Sequence, residues 1–472
     1  MYDHRRQYRC YIIRSRSQNE MDNLLPLYAN IIDTICPCKR SEFVKAFNDA
    51  FCSNNSSMPS KKTLDNHRTE IVGQLFGMYY TSEDGFVYSS ERTKKFISDS
   101  DTPAFFKDVC YKMQFPNGGQ KIQTVKESVA NNINIRQFPF LLKVMMVAKS
   151  NNITLSKKEI GYYVLNSLDV LQGKASPQEV VDAIAADRKS GVERDIKTRS
   201  NDLSYDWHHI YDQINLLELA NLVIIEGTSV ILNPREENTI DLFAKRYEDK
   251  PKFDVYSYDI GNKNIRKRFK LDWGNYFACL SEEFKCFETS AESLGVRLET
   301  PAALKSEEGT HTSTVEIGDE GEKYVYEYEK RRVEEYNFRL AGKVIHLGKT
   351  RGLGYDIQSV VATPGDNAEF VKYIEVKATK RVTAPDIGDK SWIDTINMTR
   401  NEWVAAQQHR DYYSIFRVYF VRDSVIMFVL KNIAGKQDDG ILQAVPMSYR
   451  IDFGSFAVDE AIHRKGGKDE YV

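Results

Sequence analysis

The stretch FVKYIEVKAT (residues 370–379) constrains the fold of this chain more than any other segment. Its β-branched and aromatic residues predict a strand, and pleating sends successive side chains to opposite faces. Val371, Tyr373, Glu375 and Lys377 then share one side, and Lys372, Ile374, Val376 and Ala378 the other. Glu375 and Lys377 stand side by side, roughly 6.5–7 Å apart along the strand. Ile374 and Val376 anchor the opposite face in a core. A carboxylate and an amine held together on a rigid strand are well placed for chemistry.

Asp356 lies nineteen positions before Glu375 in GLGYDIQSV, a second predicted strand entered through a glycine-rich turn. Pairing of the two strands would bring Asp356 and Glu375 onto one divalent cation. Mg²⁺ takes hard oxygen ligands and uses one or two carboxylates together with waters and substrate phosphate. Such an ion acidifies a bound water and stabilises phosphate charge, and Lys377 would orient the water or offset the developing charge. Upstream, GEKYVYEYEKRRVEEY (321–336) reads as a helix with Glu322, Val325, Glu329, Val333 and Tyr336 near one face. Glu322, at the helix start, fits both a charge favoured by the helix dipole and a site residue. Glu329 is read as salt-bridged on a solvated face.

The ordered set GEKYVYEYE, GLGYDI, YIEVKAT and MTRNEW, spanning about 318–420, resembles the NO VEIN-like C-terminal domain, a branch of the PD-(D/E)xK nuclease superfamily. Its pattern of a helical Glu, an Asp and a Glu-x-Lys pair falls on Glu322, Asp356, Glu375 and Lys377. The resemblance implies a restriction-endonuclease-like α/β domain with a mixed sheet that cleaves phosphodiester bonds with Mg²⁺, Mn²⁺ being able to substitute. Asp356, Glu375 and Glu322 would be its metal ligands and Lys377 the fourth catalytic residue. Tyr355 stands where the superfamily's namesake proline would be, a departure that bears on how Asp356 is aimed. The complete layout resembles bacterial restriction endonucleases, in which winged-helix-like DNA-reading modules precede such a domain.

The N-terminal half fits that layout. MDNLLPLYANIIDTI and SEFVKAFNDAF have helical apolar spacing. A third helix begins at a Ser60 N-cap and places Leu64, Ile71, Val72, Leu75 and Tyr79 on one stripe. Asp84-Gly85 between β-prone runs predicts a hairpin. The order recurs later: FPFLLKVMMVAKS as a buried helix, a capping box at Ser156 and Glu159, then YDQINLLELANL and the paired runs of VIIEGTSVIL. The expected architecture is multidomain α+β. Winged-helix-like modules occupy 1–100 and 101–235, a helical region 236–310, the nuclease domain 311–450 and a solvated tail 451–472. KSEEGTHTSTVEIGDEG reads as a linker.

Lys61 and Lys62 are placed to meet phosphates, and Asn66, His67 and Arg68 have the chemistry for major-groove base edges, against an ordinary polar helix face. IRKRFK (265–270) could track a DNA backbone or be a solvated basic face. Thr399 and Glu402 are read as a capping box, and Gln407, on the same helix, is a weaker candidate for touching the site. His208 and His209 are read as structural or surface residues. Seven cysteines without a CxxC pair read as free thiols of a reducing cytosol. No signal peptide and no run of membrane-spanning length is seen, which predicts a cytoplasmic protein. A net charge of −2 is neutral on DNA binding, since basic residues can gather on one face.

These readings converge on a Mg²⁺-dependent, sequence-specific endonuclease of the type II restriction class acting on double-stranded DNA. It is expected to be a homodimer on DNA, with a cognate DNA methyltransferase as a candidate companion. A modification-dependent endonuclease and a DNA-binding regulator with an inert nuclease-like domain are the alternatives.

Overall fold

The computed structural model describes residues 2–53, 59–196, 203–296, 317–347, 352–364, 369–389, 392–445, 449–465 and 468–471. It divides into two compact units: Met1–Met21, Ile31–Lys95 and Pro103–Phe287 form the first, and Asp22–Asn30, Phe96–Thr102 and Glu288–Val472 the second. The element order suggests five segments; residues 236–287 here fall within the first unit. No described helix is long and apolar enough to cross a membrane.

The first unit holds two three-stranded sheets. In one, β1 (Cys38–Lys39) pairs with β3 (Phe86–Ser89), which pairs with β2 (Tyr79–Thr81). The helix Arg40–Ser53 and a longer helix lie between β1 and β2; the longer one opens at Lys61–Asp65 and continues through Asn66–Leu75. Ser60 caps it by accepting from the Thr63 N–H, and the hairpin turns at Gly85 with φ +84°. Tyr79, placed by periodicity on the helix, instead starts β2. The second sheet has β4 (Leu155–Ser156) against β6 (Ser229–Leu232), with β5 (Val223–Glu226) outside it. The Ser156–Glu159 capping box forms as expected, and the helix Gln137–Ser150 is buried.

The second unit is built on a seven-stranded sheet in the order β16-β15-β12-β11-β9-β8-β7. The strands are β7 (Ile345–His346), β8 (Ile357–Val360), β9 (Val371–Lys380), β11 (Tyr413–Val421), β12 (Ser424–Lys431), β15 (Glu460–Lys465) and β16 (Lys468–Tyr471). Only β9 and β11 pair in parallel, so the sheet is mixed. A smaller sheet joins β10 (Asp394–Met398), β14 (Tyr449–Phe453) and β13 (Gln443–Val445). On one face of the large sheet Ile374, Val376, Phe416 and Val418 pack under the long helix Ile317–Tyr336 through Val325, Tyr328 and Val333. On the other, Tyr413, Ile415, Tyr419 and Phe428 pack with Trp403, Ala405 and Ala406 of the helix Arg400–His409. The alternation in residues 371–378 is therefore real, and Glu375 and Lys377 face the Arg400–His409 side.

Two boundary expectations are corrected. Of the expected linker, 305–316 lie outside the described residues, and the helix already begins at Ile317. The expected tail is not solvated: β15 pairs with β12 over Val425–Val429, and Ile462 is 1% exposed within the core. An alternating strand of only six residues flanked by glycines and charges reads as polar until its partner is known. Deleting residues 460–472 should cost at least about 2 kcal/mol through Ile462 alone and uncover the β12 edge. Thermal unfolding with light scattering should show a lowered transition and aggregation.

Candidate active site

Lys377 occupies the centre of the polar face. Its Nζ lies 2.7 Å from Glu375 Oε1 and 2.8 Å from Glu402 Oε2. Glu402 also closes the capping box: its Oε2 accepts from the Thr399 N–H at 3.0 Å, and Thr399 Oγ1 accepts from the Glu402 N–H at 3.3 Å. One carboxylate thus caps the helix and pairs with the lysine. The capping reading was right, and the second role had no signal in the local sequence. Behind the lysine, Arg417 pairs in register with Lys377 and donates Nη1 to its carbonyl at 3.2 Å. Arg417 is itself held by Asp394 at 2.7 Å, and Tyr419 donates to the same carboxylate at 2.5 Å. This buried network fixes the backbone from which Lys377 projects.

Asp356 enters from the end of β8. Its N–H donates to the Ile374 carbonyl at 2.9 Å, and its Oδ2 accepts from the Val376 N–H at 2.8 Å. The preceding turn needs Gly354: φ is +77°, and a Cβ there would lie 2.5 Å from the Asn401 carbonyl oxygen. Tyr355, in the proline's place, lies edge-on to Tyr373 with ring centroids 4.7 Å apart. Asp356 is aimed by backbone hydrogen bonds that the tyrosine leaves intact.

The electrostatics mark these carboxylates as under-neutralised. Burial, with the Glu322 charge adding to it, pushes Asp356 up to about 6 against the pull of the Val376 N–H and Lys377. Burial likewise raises Glu375 well above its ordinary value against the pull of Lys377, with Asp356 and Glu402 adding to the rise. Burial alone would lower Lys377, but Glu375 and Glu402 hold its ammonium firmly charged. Glu322 points to the edge strand, where its Oε2 lies 2.7 Å from His346 Nε2. His346 was missed by sequence reasoning, as a single histidine in VIHLG carries no spacing signal.

Among the described residues, no three of His, Cys, Asp and Glu stand together as a metal cage, so Glu322, Asp356 and Glu375 are not gathered into a three-ligand set. Asp356 and Glu375 offer hard carboxylate oxygens, the donor type that a divalent cation takes. Glu329 is corrected: it is fully buried, 2.7 Å from Ser359 Oγ, 2.8 Å from Arg332 and 3.2 Å from Lys372. Burial would raise it, but Lys372 and Arg332 hold it down to about 2. Gln407 is exposed, about 140° around the helix from Glu402.

In the first unit, His67 and Arg68 are buried and cannot meet base edges as expected. Arg68 pairs with Asp65 and donates to Asn48 at 2.7 Å, and His67 packs on Phe51 at 4.7 Å. Both lie on the buried stripe of the helix with Leu64, Ile71 and Leu75. Lys61 and Lys62 stay exposed. Lys62 and Asn66 line a cavity of about 580 Å³ with Arg14, Arg16, Glu70 and Lys121. The arginines of IRKRFK are engaged: Arg266 donates to the Ile260 and Gly261 carbonyls, and Arg268 pairs with Asp272 and Glu83. His209 is buried against the Ile12 carbonyl, in line with a structural role.

Residues 2–274, more than half of the chain, match the family described as restriction endonuclease BpuJI, N terminal. Residues 321–430 match the family described as protein NO VEIN, C-terminal. A similar solved structure is described as pyrene- and phenanthrene-modified DNA in complex with the BpuJ1 endonuclease binding domain. It shares 49% identity, with a TM-score of 0.57, covering 59% of this chain and 100% of that one. No curated protein matches the chain significantly.

A carboxylate whose folded-state value is raised binds extra protons in the native state, so its contribution to stability falls as pH rises from about 4 through 6. Metal affinity should rise over the same interval, as the proton competes with the ion. Asp356→Asn should accordingly stabilise the metal-free protein at pH 7 by roughly 1–2 kcal/mol. Calorimetry at pH 5 and 7, with Mg²⁺ titrated into both proteins, checks both signs.

Proposed function

We propose that this chain, which belongs to the restriction endonuclease BpuJI N-terminal family, is a sequence-specific endonuclease. In this reading the first unit binds double-stranded DNA, and the second hydrolyses a phosphodiester bond at Asp356, Glu375 and Lys377. The observation that carries the reading is the sharing of Lys377 between Glu375 and Glu402 beside a half-buried Asp356. Structural ion pairs are normally balanced, whereas this group has more carboxylates than cations, a surplus that a divalent cation would offset.

Asp356 and Glu375 would hold a Mg²⁺ ion, or Mn²⁺ in its place. When bound, the ion supplies charge neutralisation at the phosphate and an acidified water. The protein's own part is positional. Lys377, charged and fixed by two carboxylates and by Arg417 behind its carbonyl, presents an N–H donor where negative charge grows on the phosphate oxygens or where the attacking water sits. Glu322, paired with His346, adds its field to Asp356 and favours ion binding there. Cutting both strands with one site per chain calls for two copies on one duplex.

The DNA-reading part of the proposal is supported by the likeness to a DNA-bound endonuclease binding domain and by the cavity beside the Lys61–Leu75 helix. The strand–helix–hairpin order around each sheet of the first unit supports the winged-helix-like reading. Arg14, Arg16, Asn66 and Lys121 offer the donors that base edges and phosphates accept.

Asp356→Ala and Lys377→Ala should each lower cleavage at least about 10³-fold in a Mg²⁺-dependent assay on unmethylated genomic DNA, with DNA affinity unchanged. Cleavage within tenfold of wild type by both variants would refute the site. Separately, Asn66→Ala and Arg16→Ala should weaken duplex binding by about 1–3 kcal/mol each, read by gel shift, and leave the melting temperature unaltered.

A further inference from the structure

Glu402 reaches the site from a different element than the other acids. Asp356 precedes β8 and Glu375 lies on β9, whereas Glu402 is the third residue of the Arg400–His409 helix. That helix closely approaches the turn before Asp356. A Cβ on Gly354 would lie 2.5 Å from the Asn401 carbonyl oxygen and 2.9 Å from the Ala405 Cβ. Trp403, Ala405 and Ala406 are buried in the core with Tyr413 and Ile415 of β11, which fixes the helix against the sheet. The carboxylate of Glu402 is thus carried on a scaffold that also supports the Asp356 turn.

Capping alone does not require the contact with Lys377. The Ser156–Glu159 box closes in the same way, yet its glutamate pairs with Arg188, an arginine 45% exposed. Glu402 instead pairs at 2.8 Å with a lysine only 21% exposed, in the middle of the proposed site. The two partners of that lysine also differ in what else they are asked to do. Glu375 is a proposed ligand of the cation. A carboxylate whose oxygens are taken by a doubly charged ion holds an ammonium far less, and the ion itself repels the ammonium. Glu402 is tied to the helix start, where its charge is favoured, and keeps that charge for the lysine.

We infer that Glu402 is a positioning residue for the proposed cleavage, holding the Lys377 ammonium at the reaction face once Glu375 has turned its oxygens to the cation. The inference rests on the nuclease reading, since that reading places an ion on Glu375. Glu402 touches neither ion nor phosphate in this role and acts only through the lysine. Without it, the ion would drive the flexible lysine stem away from the place where charge grows on the phosphate.

Two variants of the full chain separate the cap from the positioning role. Glu402→Gln keeps the cap, because glutamine closes such a box as glutamate does, but it removes the charge. Thr399→Ala removes the capping hydroxyl and leaves both the backbone N–H of residue 399 and the Glu402–Lys377 pair. Single-turnover cutting of unmethylated genomic DNA with Mg²⁺, gel shift in EDTA and thermal unfolding are measured for each. Glu402→Gln should cut roughly ten- to a hundred-fold more slowly, with duplex affinity and unfolding temperature unchanged. Thr399→Ala should unfold a few degrees lower and cut at nearly the wild-type rate. Wild-type cutting by Glu402→Gln overturns the inference. So does an equal loss in Thr399→Ala, which would make the cap alone responsible. Lys377→Ala is run alongside. If it is inactive while Glu402→Gln cuts as wild type does, only the positioning role falls. If Lys377→Ala cuts normally, or wild type does not cut, the nuclease reading falls and the positioning role with it.

Discussion

The ion pairs of Lys377 with Glu375 and Glu402 organise the second unit. They join the middle of β9 to the first turn of the Arg400–His409 helix, and Arg417 secures the same strand from its other neighbour. Taking one charged amine out of water is costly unless its partners are fixed. Here each partner is held by something else: Glu375 by the strand, Glu402 by its capping box, and Asp356 opposite by two backbone hydrogen bonds. The site is rigid because every charged group in it also does a structural job.

A comparison within the unit separates stabilising from poised charge. Glu329, on the other side of the sheet, is as buried as any group here, yet two cations and a hydroxyl hold its carboxyl near 2. Asp356 and Glu375 are raised instead, because burial and neighbouring carboxylates are opposed by a single lysine. Acids on the two faces of one sheet are neutralised by cations in one place and only in part in the other. That imbalance, more than the presence of acids, sets the cluster around Lys377 apart from the internal salt bridges of Glu329.

Much of the local structure was legible. The caps at Ser60, Ser156 and Thr399, the turn at Asp84-Gly85 and the alternation around Glu375 all depend on neighbours within a few residues. Readings failed where the deciding neighbour was distant. His67 and Arg68 look like a polar helix face until Phe51 and Asn48 of the helix Arg40–Ser53 meet them. Glu329 looks solvated until Lys372 is brought across from β9. His346 and the second role of Glu402 were invisible because their partners lie 24 and 25 positions away.

By itself the sequence determined which face each residue of residues 371–378 takes, where helices start, and the order Glu322, Asp356, Glu375, Lys377. These follow from backbone periodicity and short-range hydrogen bonds, which hold whatever the rest of the chain does. Tertiary structure alone decided which acids share the lysine, which are neutralised, and that the last residues close the sheet. Those outcomes depend on distance and on the local dielectric, and both arise only when β8, β9, β11 and their covering helices have packed.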